Sequence, residues 1–249
     1  MAVTQYCTAF EPSSSGGYLN KTVNAQAITD INANNELQIM LLYENDFTAD
    51  SSAMFNPTTT GGFVNTDGGS ISMTEAGGSG TSVDPKLVVT YTDSSTETHY
   101  AVGGGSFDDA FMRTAPQTSP TNILSARNDT DADNLTNTGT IATLGNYKVF
   151  FSAYVSRLIF RFATNASKTA SSAVLHFNFS ADVTSGFARA SWQGRSVYAC
   201  KMSSDVSTSF GVEDWSHLDG WESSGSYAGY DPGGDDEVLY NATFFGANF

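Results

Sequence analysis

The chain of 249 residues is 40% hydrophobic, which is enough to build a core without cross-links and indicates a globular protein. Its 11 basic and 26 acidic residues give a formal net charge of −15, which argues against nucleic acid as a partner because phosphate backbones would be repelled. The longest apolar run, Leu37–Tyr43, is too short to span a bilayer, and the first residues lack the basic and apolar regions of an ordinary secretory signal, so we expect no membrane partner.

The first candidate feature along the chain is a cysteine. Cys7 and Cys200 are the two cysteines of the sequence, and two residues cannot define a disulfide framework. We predict two buried thiols.

Helix patterns are scarce. Asn24–Asn34 predicts about two helical turns, with Ala27, Ile28 and Ile31 on one side. Ser106–Ala115 predicts a second helix. Ser106 would cap its N-terminus, and Asp108 and Asp109 would stabilise the first turn. The rest of the chain has the patterns of strands and turns.

Strands are predicted wherever apolar residues alternate or run together. Leu37–Tyr43 is apolar throughout, as in a strand covered on both faces. The predicted strands are Leu37–Tyr43, Lys86–Thr92, Tyr147–Phe162, Ala173–Phe179, Ser196–Met202 and Glu237–Phe245.

Alternation assigns side chains to faces in two of these strands. In the second half of Tyr147–Phe162, Leu158, Phe160 and Phe162 fall on one face, and Arg157, Ile159 and Arg161 on the other. The residues of Ala173–Phe179 predicted to point inward are Ala173, Leu175, Phe177 and Phe179. Many short strands separated by Gly- and Asp-containing turns predict an all-β protein, a jelly-roll-like antiparallel β-sandwich with one or two short helices.

Two parts of the chain resemble the DNRLRE-type jelly-roll domain. An Arg-rich strand, an aromatic alternating strand and a strand leading to a Trp-containing loop are similar to the opening of that family, at Arg157–Phe162, Ser172–Phe179 and Val197–Trp215. A short helix, an apolar strand, a Gly/Ser-rich bend and the closing "PKLVVTYT" are similar to its end, at Ala25–Asn34, Leu37–Tyr43, Gly61–Ser82 and Pro85–Thr92.

The two halves occur in reversed order, so the chain resembles a circularly permuted member of this family. The resemblance implies one β-sandwich domain over 1–249, with a closing half at 1–93, a connection at 94–121 and an opening half at 122–249. Termini of such domains commonly lie close together, which makes permutation within one chain physically easy. The alternative is strand exchange, in which one subunit's opening half completes another subunit's closing half.

Two acidic segments are candidate calcium sites. Asp129, Asp131 and Asp133 alternate along "NDTDADN", and carboxylate oxygens at that spacing can converge on Ca²⁺. The second segment, "DPGGDDE", offers a turn rich in carboxylates, with Asp231, Asp235 and Asp236 as the candidate ligands. The alternative for both segments is a solvated loop.

Aromatic residues near the C-terminus form a third candidate site. Trp221, Tyr227 and Tyr230 lie among Gly and Ser and beside acidic residues, which suits sugar stacking or a protein interface. The alternative is a loop packed on its own sandwich.

No catalytic signature accompanies these candidates. The histidines lack metal-binding spacing, and the segment Trp215–Trp221 places a histidine beside an aspartate without a G-x-S-x-G nucleophile motif. The adjacent carboxylates Glu213 and Asp214 have the chemistry of a glycosidase pair, but sequence neighbours in a loop are more often solvated. The resembled family also has no shared catalytic residues, so we predict a protein that is not an enzyme and requires no cofactor.

The resembled family occurs in phage virion proteins and in secreted and cell-surface proteins associated with carbohydrates. We therefore predict a non-enzymatic structural protein of a phage or virus particle, a capsid decoration or tail-associated protein located in the virion. Its partners would be other virion proteins or further copies of itself in a homo-oligomer. The alternative is a carbohydrate-binding or adhesion module of an extracellular or cell-surface protein, with surface glycans as partners. A glycan-active enzyme is a third hypothesis.

Overall fold

The computed structural model describes residues 3–57, 64–73, 83–101, 109–129, 131–136, 141–185, 188–192, 194–203 and 210–218. The strands of these residues are β1 (Gly17–Thr22), β2 (Glu36–Tyr43), β3 (Val64–Ser72), β4 (Lys86–Tyr91), β5 (Thr96–Tyr100), β6 (Asp109–Arg113), β7 (Asn134–Thr136), β8 (Ile141–Val149), β9 (Ser152–Ala163), β10 (Ala170–Phe179), β11 (Val183–Ser185), β12 (Ala188–Ser191) and β13 (Val197–Lys201). The helices are α1 (Ala25–Asn34), α2 (Glu44–Phe47), α3 (Ser51–Phe55), α4 (Pro120–Arg127) and a 3₁₀ helix at Val212–Trp215.

Hydrogen bonds join the described strands into one sheet network, whose main path runs β13-β2-β9-β8-β3-β10-β4-β5. Pairing is antiparallel except between β3 and β12. The network branches at β9: its first half pairs with β8, its second half pairs with β2, and β6 pairs along the opposite edge. The predicted all-β antiparallel sandwich is therefore confirmed, with four α-helices in the described residues rather than one or two.

The inner core lies between β2 and β9 on one side and β4 and β10 on the other. Each of these strands contributes every second side chain, as the period of a strand requires. We define the inner core by the buried residues Leu37, Ile39, Leu41, Leu87, Val89, Leu158, Phe160, Phe162, Ala173, Leu175, Phe177 and Phe179. The shared face predicted for Leu158, Phe160 and Phe162 and the inward face predicted for β10 are confirmed.

The outer core covers the opposite face of β2 and β9. Helices α2, α3 and α4 pack there, together with β6 and the 3₁₀ helix. We define it by the buried residues Met40, Leu42, Phe47, Met54, Ala110, Met112, Ile123, Val155, Ile159, Cys200, Trp215 and Leu218. Strand β2 thus has apolar neighbours on both faces, which confirms the expectation drawn from its continuous apolar run.

The closing strand and the Arg-rich strand share the inner core within one chain. Leu87 and Val89 of β4 pair opposite Leu175 and Ala173 of β10 and pack in the same cluster as Phe160 of β9. A permuted chain requires this arrangement, because its reordered halves must complete one sandwich. The resemblance to the DNRLRE-type domain itself stays a prediction, and the two chain ends lie outside the described residues.

The helix predicted at Ser106–Ala115 is wrong where the structure describes it. Residues Asp109–Arg113 form strand β6, which pairs with β9. Ala110 and Met112 enter the outer core while Phe111 packs on the inner core, and this alternation between two faces is possible only for a strand. The connection 94–121 therefore contributes side chains to both cores.

The single strand predicted at Tyr147–Phe162 is also wrong. Two antiparallel strands, β8 and β9, occupy this region, with Val149 paired to Ser152 across a two-residue turn. Phe150 and Phe151 form the turn, whereas such tight hairpins normally carry Gly, Asn or Asp there.

Both cysteines are free and buried, as predicted. Burial raises the pKa of the Cys7 thiol to about 12 and raises that of Cys200 well above its ordinary value. Both side chains therefore remain protonated at neutral pH and act as small apolar groups.

Candidate functional site

Six of the residues predicted to form sites lie outside the described residues. They are the candidate calcium ligands Asp231, Asp235 and Asp236 and the candidate aromatic contacts Trp221, Tyr227 and Tyr230. Their roles stay predictions.

The other candidate calcium segment leads into β7. The Asp133 carboxylate accepts a hydrogen bond from the backbone N–H of Ala115 and so fixes the loop that follows β6. The described part of the chain contains no group of three or more His, Cys, Asp or Glu side chains placed to hold a metal ion. Asp129, Asp131 and Asp133 are therefore not gathered into one cluster in this structure.

A calcium titration tests this segment directly. If it binds Ca²⁺ after rearrangement, the melting temperature of chelator-stripped protein should rise with calcium, because a ligand bound only to the folded state stabilises that state. The Asp131→Asn variant should lose the rise, while a change in the other acidic segment, Asp235→Asn, should preserve it. An unchanged melting temperature at millimolar Ca²⁺ would remove both acidic segments as calcium sites.

The adjacent carboxylates considered for glycosidase chemistry belong to the 3₁₀ helix. The Asp214 side chain is buried, and its Oδ2 accepts a hydrogen bond of 2.8 Å from the backbone N–H of Gly211. Its Oδ1 lies 3.3 Å from Nδ1 of His217. These contacts hold the 3₁₀ helix and the residues that follow it in place at the outer core.

A second set of charged groups is sealed inside the outer core. The Arg157 guanidinium donates to both carboxylate oxygens of Asp46, at 2.8 and 3.0 Å, and to the carbonyl oxygen of Trp215. Arg127 Nε lies 2.9 Å from Oδ1 of Asp46, and the Arg157 guanidinium stacks 3.9 Å from the Trp215 ring centroid. All three charged side chains are 0% exposed, so this cluster ties α2, α4, β9 and the 3₁₀ helix together and cannot reach a ligand.

Among the described residues, the most exposed large apolar side chain lies at the tip of the β8–β9 hairpin. Phe150 is 64% exposed and Phe151 is 84% exposed. Phe150 also has a φ of 53°, in the left-handed region that a bulky residue rarely adopts. Strained backbone of this kind persists only where the surrounding structure enforces it, and it is concentrated at functional sites. The aromatic tip, Phe150 and Phe151, is therefore our first candidate for a contact with another molecule.

Two stacked tyrosines support the base of this hairpin. Tyr147 of β8 and Tyr154 of β9 are direct cross-strand partners, and their rings are 4.6 Å apart and nearly parallel. Arg113 donates a hydrogen bond of 2.9 Å to the Tyr147 hydroxyl, and its guanidinium lies 5.6 Å from the Tyr154 ring centroid. Burial raises the pKa of Tyr147 although Arg113 opposes the rise, so the phenol keeps its proton at neutral pH.

A pocket of about 340 Å³ opens beside these side chains. Its lining residues are Arg113, Thr114, Ala115, Pro116, Asp133, Asn134 and Tyr154. We call it the Arg113 pocket. It combines a cation, a carboxylate, an amide and an aromatic ring, and such convergent polar groups are typical of a small-molecule site.

Lys148 occupies the opposite face of the hairpin. Its ammonium group lies 3.9 Å from the Phe55 ring centroid and donates to Asn56 Oδ1 at 3.1 Å. Because the chain carries a formal charge of −15, the two cations at the β8–β9 hairpin, Arg113 and Lys148, distinguish this part of the molecule from its average surface.

Sequence reasoning did not identify this site. Its aromatic tip is not predicted, because the aromatic and apolar pattern of Tyr147–Phe162 predicts one long strand. The signal that could have revealed it is the spacing of Tyr147 and Tyr154, which are equidistant from Phe150 and Phe151 and must face each other if those two residues turn.

Comparison with known proteins adds no assignment: no family model, no curated protein and no solved structure matches the chain. Among the described residues, no helix has the length and apolar character needed to cross a membrane.

Proposed function

We propose that this chain is a non-enzymatic structural protein of a phage or virus particle, a capsid decoration or tail-associated protein, and that the aromatic tip is its assembly contact. The observation that carries the proposal is the 84% exposure of Phe151 next to the strained Phe150. Two adjacent exposed phenylalanines have a free-energy cost in water that docking would remove. Aromatic residues inserted into a partner's pocket dominate the binding energy of many protein interfaces.

The position of the tip favours a protein partner. The tip projects from a hairpin whose strands are held on both sides, with β8 paired to β3 and β9 paired to β6. A rigid support lowers the entropy lost on binding. The nearby cation Lys148 would complement an acidic group on another virion protein.

Incorporation into particles tests the proposal. We expect Phe151→Ser to weaken docking by about 2 kcal/mol or more, which is roughly 30-fold in Kd. Differently tagged wild-type and variant chains would be produced together during particle formation and counted in purified particles by quantitative mass spectrometry. The variant should be strongly depleted in the particles.

The matched control is Ile141→Ser, since Ile141 is 63% exposed and begins β8, at the end of that strand far from the tip. This variant should enter particles as well as the wild type does. Equal incorporation of Phe151→Ser would reject the tip as the contact, and absence of the wild-type chain from particles would reject the virion role itself.

The alternative proposal is a carbohydrate-binding or adhesion module of a cell-surface protein. The Arg113 pocket favours it among the described residues, since the pocket joins an aromatic ring to hydrogen-bonding side chains. The particle experiment separates the two roles, because an adhesion module need not enter particles. Glycan-array binding by a chain that is absent from purified particles would support the alternative.

A further inference from the structure

Three arginines of the described residues form an ion pair with a carboxylate, and Arg113 does not. Arg127 and Arg157 pair with Asp46, and Arg195 pairs with Glu44. The described residues provide no ion-pair partner for Arg113, whose polar contact is the neutral Tyr147 hydroxyl. In a chain with 26 acidic and 11 basic residues, a half-buried arginine without a carboxylate partner is available for an anionic ligand.

The Arg113 side chain is also held in place before any ligand arrives. One of its nitrogens donates to Tyr147, and its guanidinium lies over the Tyr154 ring. Tyr147 and Tyr154 are fixed in turn by their mutual stacking. Because a guanidinium has five N–H donors, several remain for a ligand, and fixing the side chain in advance reduces the entropy lost on binding.

The other side chains of the pocket define what accompanies the anionic group. Asp133 accepts one hydrogen bond from Ala115 through Oδ2, which leaves Oδ1 to accept a hydrogen bond from a ligand hydroxyl. Asn134 can donate and accept, and the Tyr154 ring offers an apolar surface. A ligand that satisfies these groups has one carboxylate and several hydroxyls on a compact ring.

We propose that the Arg113 pocket binds a uronic-acid residue of a saccharide, with the sugar carboxylate on Arg113 and its hydroxyls on Asp133 and Asn134. The pocket volume of about 340 Å³ lies at the lower end of the range for small-molecule sites, which suits one or two sugar rings. An acidic peptide or another polyanion fits less well, because Asp133 lies in the same pocket and the whole chain is strongly negative.

Binding of simple sugars tests this site. Isothermal titration with glucuronate and galacturonate, at fixed pH and ionic strength, should give saturable binding to the wild-type chain. Glucose and galactose should bind about tenfold more weakly or worse, because they lack the carboxylate that would accept a charge-assisted hydrogen bond from Arg113. Acetate, which has the carboxylate but no hydroxyls, should also bind more weakly.

Variants locate the binding within the pocket. Arg113→Gln should reduce the affinity for glucuronate about tenfold or more, for the same reason. Asn134→Ala should reduce it less, and Lys148→Gln, on the opposite face of the same hairpin, should leave it unchanged. If Arg113→Gln fails to fold, amide chemical-shift changes in the wild-type protein should still map glucuronate to residues 113–115 and 133–134.

Several results would overturn the proposal: no saturable binding of either uronate, equal affinity for glucose, equal affinity for acetate, tighter binding of a glutamate-rich peptide, or unchanged affinity in a folded Arg113→Gln variant. The site does not depend on the aromatic tip, so Phe151→Ser should bind uronates normally. Failure of the assembly contact and failure of the saccharide site are therefore distinguished by separate variants.

Discussion

Replacing Asp46 with alanine is expected to lower the free energy of unfolding by about 3–5 kcal/mol. The Asp46 carboxylate accepts two hydrogen bonds from Arg157 and lies 2.9 Å from Nε of Arg127. Both arginines are 0% exposed, so the substitution would leave two positive charges inside the outer core without their shared carboxylate. Removing one partner of a buried ion pair is costly because the remaining charge is neither hydrated nor compensated.

Urea unfolding, followed by tryptophan fluorescence and circular dichroism, measures this loss. The control Glu11→Ala removes an exposed carboxylate and should change stability by no more than about 0.5 kcal/mol. The double variant Asp46→Ala/Arg157→Met should lose less than the sum of the two single variants, because it removes both charges of one pair. A loss under about 1 kcal/mol for Asp46→Ala alone would contradict the role assigned to this cluster.

Replacing Phe177 with alanine is expected to cost about 3–5 kcal/mol of stability. Phe177 is 0% exposed at the centre of the inner core. Its ring centroid lies 5.5 Å from that of Phe10 in an edge-to-face arrangement and 5.0 Å from that of Phe160. The substitution removes these aromatic contacts and leaves a cavity between the two layers, which the surrounding strands can fill only in part.

The matched control is Phe151→Ala, which makes the same chemical change at a side chain that is 84% exposed. It should alter the unfolding free energy by no more than about 0.5 kcal/mol. Equal losses for the two variants would mean that Phe177 does not lie between packed layers as described.

Elements with a regular apolar pattern in the sequence were predictable. The alternation of Ala173, Leu175, Phe177 and Phe179 identified the inward face of β10, because a strand places every second side chain on the same side. The unbroken apolar run of β2 likewise predicted a strand covered on both faces.

Elements that depend on distant partners were missed. Ser106 and Asp108 precede β6 and Asp109 begins it, a sequence that favours a helix start, but pairing with β9 imposes a strand. Helix α4 has its own sequence signal: Ser119 accepts a hydrogen bond of 3.1 Å from the Asn122 N–H as the N-cap, and Pro120 begins the helix. The Arg113 pocket could not be predicted, since it forms only when β6 places Arg113 beside the β8–β9 hairpin.

The branched pairing of β9 has a consequence for the cooperativity of unfolding. Successive side chains in the second half of β9 lie alternately in the inner core and in the outer core. Separating β9 from one core therefore also exposes apolar side chains of the other core. Local unfolding that leaves β9 paired involves only peripheral strands such as β5 or β7. Unfolding of β9 disrupts the inner core and the outer core together. The backbone amides of β9 should accordingly exchange with solvent deuterium only through global unfolding, and the two cores form a single thermodynamic unit.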